Sequence, residues 1–229
     1  MLKELSAVIL AGRDNRHLKS VKQTLPFGDE IVLTRTLKAY LDAGVAEVIL
    51  VLSERQADLQ NELGPLAGKV KVLTVADSEV GLGACLREGV RSVAGGSKGF
   101  MIGVADQPLL SAELITAMAE AFAKGGKKIA LPVVQGGIGF PAIFDASMTK
   151  EFGRLKDAEE SWDIVTAHAS EVLDVHRYET AYVRSIDDMD DYFALLDLAR
   201  LPRPDLTPPK DEPESSMAGA GSADRNPLG

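Results

Sequence analysis

The sequence predicts an α/β protein of three layers, α/β/α, with a mostly parallel sheet and an antiparallel strand late in the chain. Three observations carry this. From Leu5 to Ala123, short apolar runs rich in β-formers alternate with stretches of helical period, the order that builds βαβ units. The first of those runs, Leu5–Leu10, is short and apolar but for Ser6, the pattern of a strand covered on both faces. From Lys127 the rhythm breaks, and Gly136-Gly137-Ile138-Gly139-Phe140-Pro141 turns the chain back on itself.

Leu5–Leu10 is the first strand and runs into Ala11-Gly12. Ile31–Leu41 reads as a helix, closed by Asp42-Ala43-Gly44 with the glycine as C-terminal cap. Glu47–Leu52 is a second strand, followed by a helix over Glu54–Leu63. Val70–Val75 is a third strand, and Gly81-Leu82-Gly83-Ala84 opens a helix reaching Val93. Gly99–Val104 is a fourth, broken at Ala105-Asp106-Gln107-Pro108, and Ser111 caps a helix over Ala112–Ala123. Ile129–Val134 and Ala142–Phe144 are strands, the second antiparallel. Met148–Leu155 and Trp162–His168 are short helices; Val172–His176 and Ala181–Val183 are short strands. Met189–Ala199 is a last amphipathic helix, with Tyr192, Phe193, Leu195 and Leu196 able to face the sheet. Residues 1–200 then form one domain. From 201 to 229 the composition turns to Pro, Gly, Ser and charge, as in a disordered tail.

Composition narrows the function. With 229 residues, 45% of them hydrophobic, the chain has room for one sizeable core. No apolar run reaches bilayer length and no signal peptide opens the chain. The lone Cys85 permits no internal disulfide and suits the cytoplasm. With three scattered histidines it gives zinc almost no support. A formal net charge of -9 argues against broad nucleic-acid binding. Against that acidic background, Arg13, Arg16, Lys19 and Lys22 follow the first strand with only Asp14 opposing them. A solvated basic loop is the bland account. A bound anion at the C-terminal edge of the sheet is the sharper one, because Ala11-Gly12 lets backbone N–H groups approach a phosphate.

Neither familiar phosphate loop is present. A Walker A loop needs a glycine just before Lys-[Ser/Thr], where His17-Leu18 precede Lys19-Ser20, and the glycines of a dinucleotide fingerprint are absent. Dehydrogenase chemistry is therefore disfavoured, and side chains must do the gripping. Asp106, at the end of a buried strand and followed by Gln107-Pro108, is placed to hold Mg²⁺ near phosphates. Its alternative duty, capping the next turn, is already covered by Ser111. Asp187 lies in an acidic run before a helix, which read alone is N-terminal capping. Trp162 reads as core, and Cys85 as a packing residue at a helix start.

The segments ILAGR…R…KQTLPFG, GLGACLREG, GVADQPLL, GGIGFPAIF and SIDDMDDYFAL together resemble the MobA-like nucleotidyltransferases, within them the molybdenum cofactor cytidylyltransferases. The resemblance covers Leu5 to Leu196 and implies a Rossmann-like nucleotidyltransferase fold. It implies a nucleotide loop at Leu10, Ala11, Gly12, Arg13 and Arg16, a phosphate-binding Lys22, and nucleotide contacts at Cys85 and Gln107. It makes Asp106 the metal aspartate and Asp187 a second metal contact. Lys22, Arg16 and Asp106 are the implied catalytic residues. The implied substrates are an NTP, CTP first and GTP second, and a phosphate monoester such as molybdopterin. A sugar or alcohol phosphate is the alternative acceptor, and Mg²⁺ the implied cofactor. A molybdoenzyme or cofactor-pathway protein is an implied partner.

The family's Arg-Met-Gly after the loop reads Arg16-His17-Leu18, with slightly longer spacing to Lys22, and the departures beyond Asp106 lie on the acceptor side. The family's Gly-His-Pro reads Gly139-Phe140-Pro141, and of its Gly-Asp-x-Gly-Ala-Arg only Asp157 remains. They leave open a second class of function, a non-catalytic nucleotide or cofactor carrier.

Overall fold

The computed structural model describes residues 1–11, 22–76, 81–134, 137–176 and 180–206. Its centre is one sheet running β5 (Lys71–Val75), β4 (Glu47–Ser53), β1 (Leu5–Leu10), β6 (Gly99–Val104), β9 (Ala142–Asp145), β7 (Ile129–Val134), β10 (Val172–Val175), with β8 (Gly137–Ile138) paired to β7. β1 pairs in parallel with both β4 and β6, and β7 with β10, whereas β9 lies antiparallel between β6 and β7. A two-stranded hairpin, β2 (Pro26–Phe27) with β3 (Glu30–Ile31), stands apart. The expected three-layer, mostly parallel arrangement is the one observed.

β1 shows why. All six of its residues are buried, and the five apolar ones divide between two cores. Leu5, Ala7 and Ile9 face α1 (Val32–Ala43) and α3 (Ala112–Gly125), meeting Leu33, Leu37, Tyr40, Leu114 and Met118. Val8 and Leu10 face α2 (Leu82–Arg91), α4 (Thr149–Phe152) and α5 (Ser161–Ala167), meeting Ala84, Leu86, Phe152 and Ile164. Two-sided burial asks for an apolar strand, and the one polar residue, Ser6, is satisfied by Glu47 and Ser97. Gly44 ends α1 at φ 76°, as the sequence suggests, and the Ser111 side chain accepts the Leu114 N–H at 3.2 Å to cap α3.

Three expectations need correction. Glu54–Leu66 is a run of 3₁₀ turns instead of an α-helix, interrupted at Gly64 and Pro65. Proline removes an N–H and Gly64 adopts φ 49°, so the regular ladder cannot continue. Thr180–Val183 is also a 3₁₀ turn and not a strand, and the Val183 carbonyl is used by a side chain instead of a ladder. The last helix, α6 (Met189–Ala199), does not lie on the sheet. Its Tyr192, Leu195 and Leu196 form a third cluster with Leu25, Phe27, Val32 and Ile186, covering the hairpin and the start of α1. Of the tail expected from 201, Leu201 packs on this cluster and Arg203 pairs with Asp197 at 2.8 Å; 207–229 lie outside the described residues.

Candidate active site

The parallel strands end together at one lip. Ala11, one residue past β1, donates its N–H to the Val51 carbonyl at 3.1 Å, and Ala105, one past β6, donates to the Leu10 carbonyl at 2.9 Å. Open α/β sheets bind ligands at this edge. Gly12, Arg13, Arg16 and Lys19 fall outside the described residues. The described residues continue from Lys22 with a short turn, Lys22–Thr24, and the Gln23 amide donates to the Ala11 carbonyl, tying that turn to the end of β1.

Lys22 and Asp106, distant in sequence, meet here. The Lys22 ammonium forms an ion pair with Asp106 Oδ2 and donates to the Ile186 carbonyl at 2.8 Å. The Ile186 N–H in turn donates to the Asp106 carbonyl oxygen at 3.2 Å. Lys22 is 7% exposed and Asp106 4%, which makes this a buried pair and not a surface salt bridge. Asp106 Oδ1 is buried with no hydrogen-bond partner among the described residues. Burial raises the Asp106 carboxyl above its ordinary value; Lys22 pulls it back, and the charge on Asp187 adds to the rise. Asp187 therefore lies within electrostatic reach of Asp106. Its N–H donates to Asp191 Oδ2 at 3.0 Å, and the capping duty belongs to the next residue, Asp188, which accepts the Asp191 N–H at 2.9 Å.

Gln107 is 1% exposed and braces the neighbouring segments. Its amide donates to the Val183 carbonyl at 2.6 Å and the Phe140 carbonyl at 3.4 Å, while its Oε1 has no partner among the described residues. Phe140 meets Trp162 with ring centroids 5.0 Å apart, so Trp162 joins the turn beside the site to the core below it. Cys85 sits on α2, partly buried against that core, and burial pushes its thiol pKa up. That is the reverse of an activated thiolate.

Some contributors carry no mark in the sequence. The Ile186 and Val183 carbonyls are backbone groups that any residue would supply. Arg87 did leave a signal, standing one helical turn after Gly83 in a Gly-x-Gly segment. It donates to the Leu155 carbonyl at 2.5 Å and to Asp157 Oδ1 at 2.7 Å, holding the Asp157 loop against α2.

Among the described residues, no three His, Cys, Asp or Glu side chains gather as a metal cluster. A hard cation here would draw on Asp106 and Asp187 and fill its shell with phosphate oxygens and water, as Mg²⁺ does in phosphate-handling sites. The unpartnered, buried Asp106 Oδ1 fits that demand.

A buried lysine–aspartate pair at the lip where the parallel strands end marks an α/β protein of the ligand-binding kind. Residues 7–172 match the MobA-like NTP transferase domain, and the chain belongs to that family. It is a nucleotidyltransferase. Among solved structures it is similar to Rv0371c from Mycobacterium tuberculosis H37Rv, at 25% identity and a TM-score of 0.74 over 84% of this chain and 97% of that one. A manganese complex of the same mycobacterial protein aligns at 24% identity and a TM-score of 0.68, over 84% and 97% of the two chains. A nucleotidyl transferase from Methanothermobacter thermautotroptrophicus (Mth528) aligns at 25% identity and 0.71, over 85% and 96%. No curated protein matches the sequence. No helix among the described residues is long and apolar enough to cross a membrane.

Proposed function

We propose that the enzyme transfers CMP from CTP to a phosphate monoester, with molybdopterin the leading acceptor. An acceptor phosphate oxygen attacks the α-phosphorus, the bond to the β-phosphate bridging oxygen breaks, and pyrophosphate leaves with that electron pair. The observation that supports this reading is the meeting of Lys22 and Asp106 at the sheet lip, with one carboxylate oxygen unpartnered among the described residues.

In this reading Leu10, Ala11 and Gly12 offer backbone to the nucleotide, with Cys85 and Gln107 lining it. Arg13, Arg16 and Lys22 hold the triphosphate and offset charge on the departing pyrophosphate. Asp106 and Asp187 hold Mg²⁺, which when bound supplies charge neutralisation at the α-phosphate. No covalent enzyme intermediate is required, since alignment and charge stabilisation suffice for such transfers. The same reading puts the enzyme in the cytoplasm, passing its product to a molybdoenzyme or cofactor-pathway protein.

Pyrophosphate release measured over CTP, GTP and UTP, with molybdopterin and with sugar phosphates, tests it. CTP with molybdopterin is the productive pair. Lys22→Ala lowers turnover by at least ~10²-fold, as for loss of one preorganised donor to developing charge. Mg²⁺-dependent CTP binding with no pyrophosphate from any acceptor would leave a carrier in place of a transferase.

A further inference from the structure

Lys22 and Asp106 are assigned different ligands, the triphosphate and the metal, yet in the structure they hold each other. The ammonium rests on Asp106 Oδ2 and the Ile186 carbonyl, out of solvent. It compensates the charge of the carboxylate from the Oδ2 side and leaves an arriving ion only Oδ1. A buried ammonium cannot simply let go, because losing its partner leaves an uncompensated charge in a poorly hydrated place. A divalent ion arriving alone would compete for Asp106 and offer Lys22 nothing in return. A triphosphate offers Lys22 a new anionic partner as the metal takes over the carboxylate, so both charges stay paired throughout.

We propose that Lys22 is a place-holding cation. It closes Asp106 to a free divalent ion and yields it only when a nucleoside triphosphate provides a competing anion, so metal and nucleotide load together. The Ile186 carbonyl, fixed by its own N–H to the Asp106 carbonyl, keeps the ammonium aimed at the carboxylate in the resting enzyme. This rests on the reading of Asp106 as the metal carboxylate. Because linkage is reciprocal, nucleotide tightens metal by the same factor by which metal tightens nucleotide.

The test is Mn²⁺ binding to the full chain, followed by electron paramagnetic resonance of the free ion, with and without α,β-methylene-CTP. Wild type binds Mn²⁺ weakly alone and at least about tenfold more tightly with the analogue. Lys22→Met, which keeps the stem and removes the charge, binds Mn²⁺ alone at least about tenfold more tightly than wild type and loses most of the coupling to nucleotide. A Lys22→Met protein that binds free Mn²⁺ no better than wild type overturns the place-holding role. Should that variant fail to fold, wild type decides alone: equal Mn²⁺ affinity with and without the analogue overturns the proposal. Asp106→Asn separates the two levels. If it takes up Mn²⁺ with the analogue as wild type does, the metal assignment of Asp106 itself is wrong.

Discussion

Three buried polar atoms have no hydrogen-bond partner among the described residues: Tyr40 Oη, Asp106 Oδ1 and Gln107 Oε1. Two of them belong to consecutive residues just past β6, at the sheet lip; the third is carried by α1 into the core. Tyr40 is fully buried, and burial drives its phenol pKa upward. Its hydroxyl fits only because Gly103 lacks a side chain, since a Cβ there would come within 2.1 Å of it. An unpaired hydroxyl in apolar surroundings costs more than it returns. Tyr40→Phe is therefore expected to stabilise the fold by about 1 kcal/mol. In urea it shifts the unfolding midpoint upward without changing the slope, and leaves turnover as it was. A midpoint below wild type would show that the hydroxyl is satisfied after all. At this scale the sequence singled out Lys22 and Asp106 separately, and the fold brings the two together. It gave no sign of the unpaired Tyr40 hydroxyl, which depends on what lies across the core.

Among the elements, α2 and the Asp157 loop show how a motif can be seen and its purpose missed. Gly81-Leu82-Gly83-Ala84 reads as a helix opening, and a helix does open there. The glycines serve a different end. A Cβ at Gly81 would lie 1.8 Å from the Asp157 carbonyl oxygen, and one at Gly83 would lie 1.9 Å from that of Lys156. This close approach lets the Gly83 N–H reach the Asp157 carbonyl at 3.1 Å, while Arg87 grips Leu155 and Asp157 from one turn further on. Gly83→Ala must push backbone away, and is expected to cost about 1–3 kcal/mol in a urea melt, the range for overpacking. Arg87→Met takes away the grip without the clash and destabilises less. If Gly83→Ala melts like wild type, the loop is not seated on α2. Element boundaries were legible wherever burial on two faces forced an apolar run, as in β1, β6 and β7. They were not legible at Thr180–Val183, where four residues carry no period and the Val183 carbonyl answers to Gln107.

Over the whole molecule, the two ends of the described chain close on one site. β1 supplies the floor and Lys22–Thr24 the returning turn. The segment from Val183 to Ile186 comes back to brace Gln107 and Lys22 through its carbonyls. That segment is held by the third cluster, in which Leu195 and Tyr192 are fully buried against Leu25, Phe27 and Val32, and the Tyr192 hydroxyl donates to the Pro26 carbonyl. The helix was legible from its period, but its destination was not, because period tells which face is apolar and nothing about what will cover it. This arrangement separates two kinds of core damage. Leu37→Ala, in the core between α1 and the sheet, and Leu195→Ala, in the third cluster, each remove a fully buried leucine and should each cost about 2–5 kcal/mol. Only Leu195→Ala loosens the segment whose Ile186 carbonyl holds Lys22. Titrated with CTP and Mn²⁺ at a temperature where both variants are folded, Leu195→Ala is expected to bind nucleotide several-fold more weakly, by roughly 1 kcal/mol, while Leu37→Ala binds like wild type. Equal losses in the two would mean that the last helix contributes only general stability and does not hold the site in shape.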